Sequence, residues 1–276
     1  MKIAILAAGK SDYFPVFIDR PKCLYHLNGK IQLERVVDDC LNFVAEDDII
    51  VVAGYKYKKI ENFLKKYPKV RLKVNEKYFG PAIFSYRKAA ENEDDDIVFI
   101  CADESIKLHN IKKICDSQKK MALLCHDTFY YYSLGIFKLR KDQLNILFDD
   151  KYLSMKQMEE IYCFANNKEE YDGAFNINSG ICLGYLVIDF VRRIGQIEKI
   201  ENPVSYNGHD DIDFIHYDPS IDYIKDLDSI KDTEEYRSNV FLRLYTDYIS
   251  WFIKGLARRV KICIDKLGFK KNNKYE

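Results

Sequence analysis

Residues 2–11, with the sequence KIAILAAGKS, decide the fold class of this chain. The apolar residues 2–6 are typical of a buried strand, and the small residues 7–9 allow a ligand to come close to the backbone. Backbone amides exposed at such a strand end can hold phosphate oxygens. Pro21 then holds Lys22 just after the loop, which adds a fixed positive charge at the same place. The pattern therefore predicts an anion-binding site directly after a buried strand.

The amino-acid composition limits the kinds of protein that this chain could be. A chain of 276 residues with 47% hydrophobic residues can bury the core of one large α/β domain, with or without a small appendage. Its 43 Lys and Arg residues balance its 43 Asp and Glu residues, so nucleic acid is a poor default partner. The eight cysteines form no CxxC motif, which favours reduced core cysteines in a cytoplasmic protein over disulfides or a zinc site. The sequence has no apolar run of about 18 residues, so no membrane span is predicted.

Strand-like and helix-like segments alternate in the first half of the chain. Apolar runs predict strands, and apolar residues at helical spacing predict the helices between them. The predicted strands are 2–7, 48–54, 70–74 and 96–101, and the predicted helices lie near 31–44, 57–64 and 82–91. This order predicts a mostly parallel, doubly wound sheet, which binds ligands beyond the carboxyl ends of its strands.

The second half is less regular. Strands are predicted at 121–126, 129–139, 212–217 and 221–227, and helices near 141–149 and 154–166. From Ser229 to about Leu267 the chain is predicted to be helical, and the best candidate boundary falls near 236–240.

Two acidic positions follow predicted strands. Asp103 comes just after the strand at 96–101, at the ligand edge of the sheet, and Asp228 lies at a later junction between strand and helix. The two carboxylates could share a metal ion, although each could also cap the helix that follows it. The acidic run at 93–96 is interpreted as a solvated turn rather than as a metal site.

A tight turn precedes the third predicted helix. Its residues Gly80, Pro81 and Ala82 are small enough to let a flat base approach the backbone. An ordinary turn between a loop and a helix remains the alternative.

Taken together, these segments resemble the nucleotidyltransferases of the sugar-phosphate and choline-phosphate type, with a MobA-like NTP transferase domain. The matching motifs are Leu6-Ala7-Ala8-Gly9, Pro21-Lys22, Asn28-Gly29-Lys30 before a helix, Ala102-Asp103, and residues 226–232, DLDSIKD. The resemblance implies a Rossmann-like three-layer α/β sandwich with a mostly parallel sheet, of the glycosyltransferase-A-like nucleotidyltransferase fold. The nucleotidyltransferase domain is expected at 1–237, and a C-terminal helical extension at 238–276.

The resemblance also implies the roles of single residues. Lys22 is expected to bind phosphate as the catalytic lysine, and Asp103 and Asp228 to hold Mg²⁺. Asn178 and Gly180 are expected to contact the acceptor, although residues 133–135 could be the counterpart instead. The nucleotide is expected to bind Leu6, Ala7, Ala8, Gly9, Lys10, Arg20, Gly80, Pro81 and Ala82.

The loop after the first strand departs from the family pattern. Residues 11–15, SDYFP, lack the usual second glycine and the arginine that grips the triphosphate, and Asp12 adds a negative charge. Arg20 is the nearest arginine in sequence and could substitute for the missing one. A non-catalytic nucleotide-binding or scaffold protein is therefore one alternative. A metal-dependent glycosyltransferase is another, but it would be expected to carry Asp-x-Asp where this chain has Ala102-Asp103-Glu104.

The resulting hypothesis is a Mg²⁺-dependent nucleotidyltransferase of the cytoplasm, in the biosynthesis of surface polysaccharide. It joins a nucleoside monophosphate, from CTP by preference, to a phosphocholine-like or sugar phosphate acceptor and releases pyrophosphate. The C-terminal helix has a wide apolar stripe and a basic end. It could pack on its own domain, form a homodimer or contact a membrane surface.

Overall fold

The computed structural model describes residues 1–9, 20–79, 82–103, 107–126, 129–149 and 212–217. Within these residues, the strands are β1 (Lys2–Ala7), β2 (His26–Leu27), β3 (Lys30–Ile31), β4 (Ile49–Ala53), β5 (Arg71–Val74), β6 (Ile97–Cys101), β7 (Met121–His126), β8 (Phe129–Leu139) and β9 (Ile212–Tyr217). The α-helices are α1 (Gln32–Cys40), α2 (Tyr57–Leu64), α3 (Ile83–Ala90) and α4 (Leu108–Asp116). Short 3-10 helices span Lys22–Leu24, Glu46–Asp48 and Lys141–Phe148.

The central strands are nearly continuous apolar runs. Every residue of β4 is buried, as are four of the five residues of β6. Both strands pair in parallel with β1, so that Ile5 lies between Val51 and Ile100. Such runs are expected where helices cover both faces of a parallel sheet.

One seven-stranded sheet joins these strands in the order β5-β4-β1-β6-β8-β7-β9. β5, β4, β1 and β6 are mutually parallel, and β9 is parallel to β7, whereas β8 runs antiparallel to both β6 and β7. Two residues separate β7 from β8, which is too short for the crossover that parallel neighbours require. The prediction of a mostly parallel sheet is confirmed, with β8 as the antiparallel exception.

Helices cover the two faces of the sheet in three layers. Buried side chains of α1, α2 and α4, such as Leu33, Ile60 and Ile114, share a core with Ile5 on one face of β1. On the opposite face, the Tyr86 ring of α3 packs 5.4 Å from the rings of Phe99 and Phe137. The three-layer α/β sandwich predicted from the sequence is therefore confirmed for the described residues.

The direction of the chain changes at β1. From β1 the chain passes through α1 to β4 and then outward to β5, whereas the next strand, β6, lies on the other side of β1. The strand order therefore switches between β1 and β6, whose carboxyl ends lie side by side. Open α/β sheets bind ligands in the crevice at such a switch point.

Two helix predictions require correction. The helix expected near 31–44 ends at Cys40, because the Asn42 side-chain amide donates to the backbone carbonyls of Asp38 and Asp39, each at 3.0 Å, and closes the helix end. The helix expected near 141–149 is a 3-10 helix. The predicted helix at 154–166, the strand at 221–227 and the helical extension at 238–276 lie outside the described residues.

A short hairpin was not predicted. Asn28 and Gly29 have φ angles of 52° and 80°, which join β2 and β3 in the backbone geometry that favours Asn-Gly.

The interpretation of residues 93–96 as a solvated turn is wrong for Glu93. Its side chain is only 2% exposed and accepts hydrogen bonds from Lys2 at 2.6 Å and from Arg71 at 3.0 and 3.2 Å. The ammonium group of Lys73 lies 2.7 Å from the same carboxylate. Lys2 lies on β1, whereas Arg71 and Lys73 lie on β5, which is far from β1 in sequence. The sequence pattern therefore did not reveal the cluster. Glu93 is a buried ionic anchor beneath the amino edge of the sheet.

Candidate functional site

Backbone hydrogen bonds tie together the carboxyl ends of β1, β4 and β6. The Leu6 carbonyl accepts from the Ala102 amide at 3.0 Å, and the Ala8 carbonyl accepts from the Tyr55 amide at 2.9 Å. Ala7 and Ala8 are buried, whereas Gly9 is exposed. Backbone hydrogen bonds therefore hold the residues that are predicted to bind a nucleotide after β1, and Gly9 is the first of them that is exposed to solvent.

Gly9 has free space beside it among the described residues. A Cβ atom added to Gly9 would meet no atom of those residues within 4 Å. Gly54 is the opposite case, because an added Cβ would lie 2.4 Å from the Tyr78 Cβ and 2.8 Å from the Ala8 carbonyl oxygen. Gly54 is therefore required for the close packing of three loops, while Gly9 leaves room that a ligand could fill.

Lys22 is positioned by its own short helix. Pro21 is buried, and its carbonyl accepts from the Leu24 amide at 3.0 Å to close the first turn. The buried side chains of Cys23 and Leu24 anchor this turn in the core. The anchored turn leaves the Lys22 side chain 24% exposed at the sheet edge.

The Lys22 ammonium contacts the Asp103 carboxylate. Asp103 follows β6, and its side chain is 22% exposed. The two residues are 81 positions apart in sequence and meet because β1 and β6 are adjacent parallel strands. The structure therefore brings together the predicted phosphate-binding lysine and one predicted metal ligand.

The neighbouring thiol does not contribute a nucleophile. Burial, followed by the negative charge of Asp103, raises the pKa of the Cys23 thiol to about 12. A thiol with that pKa stays protonated at neutral pH. Within the described part of this edge, the ion pair of Lys22 and Asp103 is therefore the more plausible basis for chemistry.

Asn75 is a structural residue of this edge that the sequence interpretation missed. Its backbone amide donates to the Ala53 carbonyl at 2.7 Å, and its buried side-chain amide donates to the Ser85 hydroxyl at 3.0 Å. Its side-chain oxygen accepts from the Lys77 amide at 2.9 Å, which forms an Asx turn. An asparagine placed directly after an alternating strand was the signal that could have identified this turn. Asn75 fixes the start of the loop that leads to residues 80–82.

Arg20 lies over an aromatic ring. Its guanidinium carbon is 5.0 Å from the centre of the Tyr25 ring, and the residue is exposed. Arg20 is two positions before Lys22 in sequence. The substitution of Arg20 for the missing loop arginine stays a prediction.

The remaining predicted site residues divide into two groups. Ala82 immediately precedes α3, in the connection that starts from the carboxyl end of β5. The others, Lys10, Gly80, Pro81, Asn178, Gly180 and Asp228, lie outside the described residues.

The described residues supply only part of the ligands that a hard divalent cation needs. Asp103 supplies carboxylate oxygens at a partly exposed position, and Mg²⁺ is commonly held by one or two carboxylates together with substrate phosphates and water. In the part of the chain that the structure describes, no three His, Cys, Asp or Glu side chains cluster as a metal site. A cation at Asp103 would therefore need ligands from the substrate or from residues outside that part. The same residues contain no helix long and apolar enough to cross a membrane.

The chain was compared with known protein families and proteins. Residues 3–108 match the model of the MobA-like NTP transferase domain. The bifunctional protein GlmU of Methanococcus maripaludis is 33% identical over 81 residues, which are 29% of this chain and 19% of that relative. The chain thus spans about a fifth of the length of the curated relative that it matches.

Solved structures share the fold over most of the chain. The CTP:phosphocholine cytidylyltransferase LicC of Streptococcus pneumoniae superposes with a TM-score of 0.54 and 18% identity, covering 88% of this chain and 98% of its own. The inositol-1-phosphate CTP transferase of T. maritima superposes with a TM-score of 0.54 and 14% identity, covering 90% and 95%. At this identity the likeness establishes the fold alone. The resemblance predicted from the N-terminal motifs is confirmed by the match of residues 3–108 to the model of the MobA-like NTP transferase domain.

Proposed function

We propose that this protein is a nucleotidyltransferase that joins a nucleoside monophosphate, taken from a nucleoside triphosphate, to a small phosphorylated acceptor. The observation that carries the proposal is the ion pair of Lys22 and Asp103 at the carboxyl edge, where the strand order switches between β1 and β6. A cation and a carboxylate side by side and partly exposed suit a ligand that carries both phosphate and a metal ion. The match of residues 3–108 to an NTP transferase domain supports the same activity.

The chemistry explains why this site needs no strong general base. An oxygen of the acceptor's phosphate is already anionic and attacks the α-phosphorus of the triphosphate directly. A new P–O bond forms to the acceptor, and the bond between the α-phosphorus and the bridging oxygen breaks, so pyrophosphate leaves with the electron pair. The main difficulty is to bring two anions together, which positioning and positive charge can overcome.

The residues divide this work between them. Lys22 binds the triphosphate and stabilises the negative charge that grows in the transition state. The backbone at Gly9, which is exposed at the end of β1, accepts the nucleotide. Asp103, completed by Asp228, holds Mg²⁺, which supplies charge neutralisation across the phosphate groups when it is bound. Arg20 contributes further positive charge in place of the loop arginine that the chain lacks.

The substrates belong to the same proposal. We favour CTP as the donor and a phosphocholine-like or sugar phosphate as the acceptor, with Asn178 and Gly180 contacting the acceptor. The closing segment DLDSIKD, residues 226–232, is the feature that supports this choice. The C-terminal extension, 238–276, would pack against the catalytic domain, mediate a homodimer or contact a membrane surface.

Two alternatives remain distinguishable. A metal-dependent glycosyltransferase would be expected to carry Asp-x-Asp after β6, whereas this chain carries the single Asp103 between Ala102 and Glu104. A scaffold protein that binds nucleotide without turnover is favoured by the absence of an arginine in residues 11–15.

One assay separates the three functions. The purified protein is incubated with Mg²⁺, each nucleoside triphosphate in turn, and phosphocholine, inositol phosphate or a sugar 1-phosphate, and pyrophosphate release is measured. We expect pyrophosphate only when both a triphosphate and the correct acceptor are present, with CTP the best donor. Lys22→Ala should abolish most of the signal, and Lys112→Ala, which changes a lysine with a 63% exposed side chain on α4, should retain it.

Other results would contradict the proposal. Nucleotide binding without turnover on any acceptor would support the scaffold alternative. Hydrolysis of a finished nucleotide-sugar without pyrophosphate formation would support the glycosyltransferase.

A further inference from the structure

Phe79 is an exposed aromatic side chain at the carboxyl edge of the sheet. It is 77% exposed, more than the other exposed large apolar side chains in the described residues, which are Leu41, Leu108 and Phe148. An isolated exposed phenylalanine needs no explanation, but Phe79 lies in the loop between β5 and α3 that borders the candidate site. Its surroundings show how the ring is supported.

The Phe79 ring contacts the ring of Tyr78, which in turn contacts the ring of Tyr55. The Tyr78 ring lies 5.9 Å from that of Phe79 in an edge-on arrangement at 76°, and the Tyr55 ring lies 6.3 Å from that of Tyr78. Edge-to-face and tilted contacts at these distances are favourable between aromatic rings. The three rings form a row, defined here as the aromatic row Tyr55–Tyr78–Phe79, that ends in solvent at Phe79.

The buried end of this row is attached to the nucleotide-binding edge. The Tyr55 amide donates to the Ala8 carbonyl at 2.9 Å, and the Tyr78 Cβ packs tightly against Gly54. The loop itself is fixed at its start by the buried side chain of Asn75. The exposed Phe79 therefore belongs to a loop that is anchored against the end of β1.

We propose that Phe79 provides the surface on which the base of the nucleoside triphosphate stacks. The proposal rests on the proposed function, because it requires a nucleotide whose phosphates lie between Gly9 and Lys22. A nucleobase is flat and has a π face, and an exposed aromatic ring that packs against a second ring suits such a partner. Stacking tolerates all bases, so Phe79 would raise the affinity for every nucleotide without selecting one.

The proposal separates the binding of the base from the binding of the phosphates. Phe79 would act on the base alone, whereas Lys22 would act on the phosphates alone. Inorganic tripolyphosphate carries the phosphates without a base, so it distinguishes the two contributions. A loss of folding or a general distortion of the site would weaken the binding of both ligands.

Isothermal titration calorimetry tests the proposal with Mg²⁺ present and CTP, ATP, GTP, UTP or tripolyphosphate as the ligand. We expect Phe79→Ala to weaken the binding of each nucleotide about tenfold, the equivalent of about 1.4 kcal/mol. Its affinity for tripolyphosphate should equal that of the unchanged protein. Phe79→Trp should restore nucleotide affinity, and Phe148→Ala, which removes another exposed phenylalanine, should change neither affinity.

Each contrary result has a separate meaning. Nucleotide affinity unchanged in Phe79→Ala, or an equal loss for tripolyphosphate, would overturn the role of Phe79 while leaving the proposed function intact. If the unchanged protein binds none of the four nucleotides, the proposed function fails and the role of Phe79 fails with it.

Discussion

The two edges of the sheet use charged residues in opposite ways. At the amino edge, Glu93 is 2% exposed and is surrounded by Lys2, Arg71 and Lys73. At the carboxyl edge, Lys22 contacts Asp103, and their side chains remain 24% and 22% exposed. The amino edge holds a carboxylate that is fully satisfied by the protein, and the carboxyl edge holds a pair that solvent and ligands can reach.

This difference separates stability from function. Burial raises the free energy of the Glu93 carboxylate, but the hydrogen bonds donated by Arg71, Lys2 and Lys73 outweigh it and lower the pKa of Glu93 to about 2. A charge so completely compensated has no capacity left for a ligand. Lys22 and Asp103 are both partly exposed, so a phosphate and a cation can reach them and replace their contact with each other.

The largest expected effect is the loss of the amino-edge anchor. Glu93→Gln should lower the free energy of unfolding by about 3 kcal/mol or more, since it leaves three cations close together without their carboxylate. Chemical denaturation followed by circular dichroism measures this loss, and turnover per folded molecule should not change. Asp116→Asn is the control, because it breaks an exposed ion pair with Lys112 and should cost about 0.5 kcal/mol or less. If Glu93→Gln and Asp116→Asn lowered the free energy of unfolding equally, the buried cluster would be no more stabilising than the exposed ion pair, and the contrast would be wrong.

Acid should reveal the same anchor without a mutation. The pKa of Glu93 is depressed in the folded protein, so its contribution is present above the ordinary value of about 4.3 and is lost as the pH falls toward 2. The difference in unfolding free energy between the unchanged protein and Glu93→Gln should therefore shrink by about 3 kcal/mol between pH 5 and pH 2. A difference that stays constant over this range would show that the carboxylate is not stabilised as described.

The carboxyl edge should respond to mutation in catalysis rather than in stability. Lys22→Ala should lower turnover about 10²-fold or more, the typical cost of removing one donor that faces transition-state charge. Its unfolding free energy should change by about 1 kcal/mol or less, because the pair with Asp103 is partly exposed. Steady-state kinetics and denaturation of the same preparation test both statements. Unchanged turnover would remove Lys22 from the mechanism.

A pair of glycines gives the smallest and most selective effect. Gly9→Ala should leave the unfolding free energy unchanged, since the new Cβ meets no atom of the described residues. It should raise the KM for the nucleoside triphosphate several-fold by filling ligand space. Gly54→Ala should lower the unfolding free energy by about 1–3 kcal/mol, because the loops at Tyr78 and Ala8 must move apart. Thermal unfolding and kinetics should therefore rank the two variants in opposite orders. A destabilised Gly9→Ala with normal KM would contradict the assignment of open space at Gly9.

The contrast between the edges also explains what the sequence could predict. Apolar runs such as β4 and β6 identify buried parallel strands, and the ends of such strands share one edge, so Asp103 and Lys22 could be expected near each other. The Glu93 cluster could not be predicted, because Lys2, Arg71 and Lys73 meet it only after the strands are ordered in the sheet. Two local signals were overlooked: the two-residue connection between β7 and β8 favours an antiparallel pair, and the asparagine directly after β5 favours a turn. The hydrogen bond from Asn75 to Ser85, in contrast, depends on a tertiary contact with α3.

The most direct test of the central claim uses Asp103→Asn without any divalent cation. In the free protein the Asp103 carboxylate pairs with the Lys22 ammonium and repels a triphosphate. Removing the negative charge of Asp103 should therefore strengthen the binding of CTP in the presence of EDTA. We expect a gain of about threefold, in keeping with the about 1 kcal/mol or less that a partly exposed ion pair contributes. The same variant should lose turnover when Mg²⁺ is restored. Calorimetry that finds metal-free CTP binding Asp103→Asn no more tightly than the unchanged protein would contradict a shared nucleotide and metal site at Lys22 and Asp103.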